Sequence, residues 1–407
     1  MLPSASLNRS RNAHVTLAVL TLACASTALG TASCGFLRRL AGTNTVNLEK
    51  AEVKTMSVDI RREQKTICPR APVQMAVFVQ ATLEGEPQVK PFETWQGPPG
   101  SNKNDRLDFD DFAFNSPYGQ FDESGWFSPT PNLLTTVGTE FELTTAYKRR
   151  PDKFTFKLNF KPDYTCIDSG GKSGEDGSDG SSGSSAQSGT SGSSGSSTAA
   201  GGRGTDGAQG SPGGNGTDGG PGPSIKVYVT MVKTPFYDRL AAVRIEGSTE
   251  DFLLFPPEQK LTVVARGGAG GSGGRGGSGG QGGGGGSGSP GGSGGNGGLG
   301  GNGGNGGNGG TGGTIEMVLD KRFPELAQVI TLDASGGAAG AQGGSGSGGG
   351  SGSGGSGIGT GSMGSSGASG ASGSAGASGQ SGVKGSANVR KADVAAQFKN
   401  LNGITVL

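Results

Sequence analysis

The chain has 407 residues, 86 of them glycine and only 31% apolar, far from an ordinary globular composition. Its 34 Lys and Arg balance 33 Asp and Glu, with no basic stripe, which argues against a nucleic-acid partner. The single histidine, His14, lies in a leading apolar segment. A chain that sheds that segment has no Ser-His-Asp or Cys-His nucleophile and no imidazole metal site.

In chain order, Arg9 and Arg11 precede an uncharged apolar run at 15–29, followed by Thr31, Ala32, Ser33 and Cys34. A basic start, an apolar run of this length and small residues before a cleavage point predict a secretory signal at 1–33. The run is too short for a membrane span, which needs about 20 residues. Small residues ending in Cys resemble the lipobox of bacterial lipoproteins, with Thr31 where Leu is usual. That resemblance implies lipidation of Cys34, membrane attachment through the N-terminal lipid and an outer-membrane or cell-surface location. Gly35 leaves that address open, because no acidic retention residue follows Cys34. Residues 34–50 read as a tether.

Residues 51–168 are expected to form an antiparallel β-sandwich-like domain. Apolar and polar residues alternate at 53–60, 73–83, 140–147 and 153–160, the period of half-buried strands. With Cys24 lost in the signal and Cys34 lipidated, Cys68 and Cys166 remain as an even pair for a disulfide. Between the strands, 91–131 reads as a long loop holding both tryptophans and many phenylalanines. Trp95, Tyr118 and Trp126 are its candidate ligand platforms, a glycan being one ligand; the competing reading is that the aromatics pin the loop to the core. Asp105, Asp108, Asp110 and Asp111 match no calcium-loop spacing and read as a solvated acidic turn.

Beyond residue 169 the chain is dominated by three glycine blocks at 169–224, 267–314 and 337–387, separated by connectors at 225–266 and 315–336 and closed by 388–407. The regular runs begin at Gly171, Gly267 and Gly337 and hold 18, 16 and 17 triplets; glycine leads 48 of these 51. The exceptions are Ala186, Thr198 and Ile358. In the middle block the second residue is also glycine in fifteen of sixteen triplets, Ser289 being the exception. A flexible linker has no reason to hold a phase of three, whereas a left-handed helix with three residues per turn puts every third residue on one face. Irregularities near Thr198, Pro290 and Ile358 predict a turn in each block, giving six segments of roughly 65–75 Å. Gly-Gly-X leaves two bare faces and suits the centre of an assembly; Gly-Ser-Ser and Gly-Ala-Ser leave one and suit the periphery. The repeats resemble polyglycine-II bundles, as in certain glycine-rich antifreeze proteins and phage tail-fibre tips. That resemblance implies a hydrogen-bonded bundle. Collagen is poorly supported, since only Pro212, Pro221, Pro223 and Pro290 fall in the triplets; disordered linker is the rival reading.

The connectors predict strands at 225–232 and 243–245, 252–255 and 261–264, 315–319 and 331–332, and 404–407. Short helical turns are expected at 235–242, 324–329 and 395–401, with Leu240, Leu326 and Leu401 in matching places. This internal repetition indicates stacked units. Gly170-Gly171-Lys172-Ser173 lacks the leading glycine of a phosphate loop, and no enzyme, metal or cofactor signature survives. The sequence therefore reads as a non-enzymatic, lipid-anchored surface protein of structural or adhesive role, with a cell-surface polymer or protein as partner. Ligand binding by the 91–131 loop, with the blocks as stalk, is the alternative. Ice binding by flat repetitive faces is a weaker one.

Overall fold

The computed structural model describes residues 44–96 and 103–407. The signal, Cys34 and the first part of the tether lie outside the described residues. The protein is mostly β, and the chain divides into two compact units at Cys166 and Ile167.

Nine strands build the first unit: β1 (Glu52–Ile60), β2 (Thr66–Ile67), β3 (Val73–Thr82), β4 (Val89–Glu93), β5 (Phe112–Asn115), β6 (Gly119–Phe121), β7 (Trp126–Pro129), β8 (Phe141–Tyr147) and β9 (Thr155–Pro162). One sheet runs β1-β3-β7-β6, with β4 also on β3; the other runs β2-β9-β8-β5. All their pairings are antiparallel except β2 with β9, which is parallel. Alternation along β8 buries Phe141, Leu143, Thr145 and Tyr147 on one face. Two apolar clusters are shared between the sheets. Met56, Val77 and Val79 meet Phe112 and Tyr147 in one; Ile60, Met75 and Phe127 meet Ile67, Phe141 and Phe160 in the other. Cys68 and Cys166 are bonded, with Cα atoms 6.1 Å apart.

The four expected strand regions are all present within two residues of their expected starts and ends. The segment 91–131 is not the long loop its prolines and polar residues suggest: β5, β6 and β7 lie inside it. Phe112 and Phe127 are core residues, and Phe114 and Phe121 pack against the clusters. Cross-strand aromatic pairing overrides the local turn signals here.

The second unit has nine further strands: β10 (Ser169–Gly171), β11 (Ser224–Lys233), β12 (Leu240–Gly247), β13 (Asp251–Phe255), β14 (Leu261–Val264), β15 (Thr314–Asp320), β16 (Ile330–Asp333), β17 (Ser386–Ala392) and β18 (Thr405–Val406). They form a parallel sheet β10-β14-β16 and a larger sheet β13-β12-β11-β15-β17, with β18 also on β11. Each glycine block leaves from a strand of the first sheet and lands in a strand of the second. The departures Gly171, Val264 and Asp333 are in register, as are the landings Ser224, Thr314 and Ser386. Parallel strands need long crossovers, ordinarily helices; here the glycine blocks fill that place.

Three features differ from expectation. The stretch 235–239 contains no helical turn; β12 starts at Leu240, and Thr234 and Tyr237 close a bend instead. In the last connector the buried side chain of the short helix Ala395–Phe398 is Phe398, not Leu401. β17 was not legible, because it is a polar strand exposed at six of its seven residues and owes its extension to parallel pairing with β15.

Within the blocks the chain reverses at 196–199, 288–290 and 357–360, where the irregular triplets predicted turns. The six segments make no β-ladder, yet their amides are bonded at a spacing of three. Outgoing segments lie side by side and parallel: Gly177 donates to Ala269 O (2.7 Å) and Gly270 to Ala338 O (2.9 Å). Returning segments do the same: Gly204 to Ser293 O and Gly297 to Ala368 O. A second set runs antiparallel between outgoing and returning segments: Gly202 to Ser193 O, Gly268 to Gly220 O, Gly295 to Gly283 O, Gly337 to Gly310 O and Gly364 to Gly355 O.

Side-chain exposure follows block position. In the middle block's return, Asn296, Leu299, Asn302, Asn305, Asn308 and Thr311 are exposed, while the glycines between are buried or half-buried. In the third block's return both non-leading positions are exposed, as at Ser365 and Ser366. An added Cβ at Gly295 would sit 2.1 Å from Thr205 O, whereas one at Gly350 meets nothing within 4 Å. Gly295→Ala is therefore expected to destabilise by about 1–3 kcal/mol through overpacking. Gly350→Ala is expected to be neutral or stabilising by up to about 1 kcal/mol; thermal melts of both variants check this.

Candidate functional site

Two surfaces carry chemistry. The first is the exposed row of the middle block's return. Its triplets divide three tasks. Gly294 N–H bonds sideways to Ser365 O, Gly295 N–H bonds to the other layer at Gly283 O, and Asn296 N–H donates to Asp206 Oδ1 (2.7 Å). The Asn296 side chain passes the pattern on, its Oδ1 accepting from Ala368 N–H (2.9 Å). Asn305 sits in the same way between Asn215 and Ala377, and Asn308 between Asp218 and Gln380. Asn302 Oδ1 accepts from Ser374 N–H. Short amide and carboxylate side chains thus satisfy the outward-facing backbone amides that no neighbouring segment reaches. This leaves the carboxamide NH2 groups of Asn296, Asn302, Asn305 and Asn308 on the exposed face, about 9 Å apart in successive triplets, with Leu299 interrupting the row. On the opposite face Asp176 and Asp179 accept from Ala269 and Ser272. The constant offsets of 90, 72 and 93 residues linking these partners were present in the sequence, but only the register shows what they join.

A clamp stands at the root of the blocks. Arg266, just past β14, bonds through Nε to Asp333 at the end of β16 (2.6 Å). The Arg266 hydrogen bond, and two more from Ser335, outweigh burial and hold the Asp333 carboxyl at about 2. A lowered carboxylate value contributes stability that is complete above about pH 5 and is lost as pH falls toward 2. Asp333→Asn is expected to cost about 1 kcal/mol at pH 7, after discounting for the half-exposed Arg266. The gap to the unsubstituted protein should close in melts near pH 2. At the far end of β15, Asp320 is fully buried; burial alone would raise its carboxyl, but hydrogen bonds from Arg322 and Thr230 leave it below the ordinary value.

The second surface belongs to the first unit. The structure does not assemble Trp95, Tyr118 and Trp126 into one platform. Trp95 is 2% exposed, with Lys103 Nζ 4.8 Å from its ring centre, so its faces are closed to a ligand. Tyr118 is half-buried and packs edge-on to Phe141. Trp126 is half-buried in β7, paired with Gln74 of β3. The acidic residues cap a turn: Asp108 accepts from Asp110 N–H (3.2 Å), and burial, followed by Asp108, raises the Asp111 carboxyl. Among the described residues no group of three or more His, Cys, Asp or Glu side chains is placed to hold a metal ion. The aromatic exposed on a sheet face is instead Phe78 of β3, in a cleft of 380 Å³ that sequence reading passed over.

No protein-family model and no curated protein matches the chain. A solved structure described as the nine polyproline type II helical bundle springtail antifreeze protein from Granisotoma rainieri aligns at 25% identity. The alignment covers 50% of this chain and 97% of that one, with a TM-score of 0.06. At that score the likeness carries no argument.

Proposed function

We propose that the chain is a non-enzymatic, lipid-anchored surface protein whose glycine blocks form a polyglycine-II bundle, a rigid two-layered slab with a structural or adhesive role. One observation carries the reading: the two hydrogen-bond sets, parallel within each layer and antiparallel between layers, repeat at every third residue. This helix type has no internal hydrogen bonds, so bonds to neighbours are its source of backbone satisfaction. The exposed carboxamides, hydroxyls and small side chains give the slab a flat, regularly spaced polar face suited to a repetitive polymer or protein surface. Anchoring rests on the signal-like leader and on Cys34.

Amide exchange tests the bundle. The Gly294 and Gly295 amides are expected to be protected at least about 100-fold relative to that of Ser369, which is exposed and makes no hydrogen bond among the described residues; equal rates would return the blocks to the status of tethers. A lipid-analogue label tests the anchor: the unsubstituted chain takes it up and fractionates with membranes, while Cys34→Ser does neither. For the role itself, a Gly295→Val, Gly298→Val double substitution in the full chain is expected to abolish cell attachment to surfaces while secretion continues. Undiminished attachment would move the activity to the first unit.

A further inference from the structure

The outer face of the first unit's larger sheet holds the cleft that contains Phe78. Its lining follows from strand register. Ser57 of β1 pairs with Phe78 of β3, and Phe78 pairs with Glu93 of β4. Two residues along, Thr55 pairs with Gln80, and Gln80 with Pro91. These two rows share one face, because side chains two residues apart point the same way. Val79 and Phe92 reach it with backbone, since their side chains turn inward to the core, and Asp105 and Arg106 close one side.

Three properties set the chemistry of the occupant. First, Phe78 is 40% exposed on a strand with neighbours on both sides, an expensive place for a phenyl ring with nothing over it. Second, Thr55, Ser57 and Gln80 are exposed, and among the described residues their side chains make no hydrogen bond within the protein. Third, the charges at the margin balance, Arg61 and Arg106 against Glu93 and Asp105. Arg106 bonds Glu93, Arg61 lies 3.9 Å from the same carboxylate, and Arg61 also donates to Thr94 O (2.6 Å). An aromatic face bordered by free hydroxyls and a carboxamide, with neutralised charge, fits a ligand with an apolar face and a hydroxylated rim. Ligand clefts begin near this 380 Å³ size.

We propose that this cleft is a saccharide-binding site, with a neutral pyranose ring stacked on Phe78 and its hydroxyls bonded by Gln80, Ser57 and Thr55. The inference stands apart from the slab reading, since every residue in it belongs to the first unit. It moves glycan recognition from Trp95, Tyr118 and Trp126 to the outward face of β1, β3 and β4, where β4 supplies Pro91 and Glu93.

Saturation-transfer NMR on the intact chain tests it, with chitohexaose, cellohexaose, laminarihexaose and maltohexaose as probes. Transfer to the ring protons of one or more of them is expected. Phe78→Ala should weaken binding at least 10-fold and Gln80→Ala several-fold, while Phe78→Trp should retain it. Phe78 lies outside the core clusters, so these variants should melt with the unsubstituted protein. Should Phe78→Ala melt early, Gln80→Ala and Ser57→Ala carry the comparison. The proposal is overturned if none of the four oligosaccharides receives saturation. It is equally overturned if binding survives Phe78→Ala or is indifferent to both polar substitutions.

Discussion

The second unit depends on how closely two peptide backbones can approach. Between Gly295 N and Gly283 O the distance is 2.8 Å, and the bond is one of a series repeated along each pair of segments. Apolar side chains are too few in the blocks to offset the ordering of so much glycine, whose backbone entropy loss is the largest of any residue. Hydrogen bonds between segments are the remaining source, and along most of the array a Cβ on the facing glycine would collide with the neighbouring backbone. A Cβ at Gly298 would lie 1.8 Å from Ala208 O, and at Gly271 2.0 Å from Ser178 O. Glycine here provides proximity, not flexibility.

That constraint propagates outward. Segments bonded every third residue must stay in phase along their whole length, so their ends must be aligned. The two sheets supply the alignment, three departures in register in one and three landings in register in the other. The Arg266–Asp333 clamp joins two of the departures. Apolar strands such as β11 and β15, with Val227, Val229, Ile315 and Leu319 fully or almost fully buried, supply the burial that the blocks lack.

Much of this was legible in the sequence, and for identifiable reasons. Period two in β1, β3, β8 and β9 marked strands because one face of each is buried. Period three with lapses at Thr198, Pro290 and Ile358 marked segments and turns. The cysteine pair followed from elimination. What escaped notice depended on partners distant in the chain. β17 is polar and extended only because β15 lies beside it. The aromatic segment became strands because Phe112 and Phe127 found cores formed by residues far away in sequence. Phe78 falls out of phase with Val73, Met75, Val77 and Val79, so alternation alone turns it outward; that Ser57 and Glu93 flank it follows from register, which no local pattern contains.

The unequal exposure of the three blocks has a further consequence. In the middle block two residues of every triplet press against neighbours. In the third block's return only the leading glycine does, and Ser366, Ser369 and Ser372 stand exposed beside it. The first block's outgoing segment is alike, with Ser181 and Ser182 exposed beside the enclosed Gly180. A further segment arriving beside Ser366 or Ser182 would meet Cβ atoms where it needs bare backbone. The outer hairpins are thus end pieces, as polar capping repeats are in solenoids. The sequence thus marks the ends of the array within its own triplets: the second glycine, kept in the middle block, gives way to serine and alanine along the outermost segments.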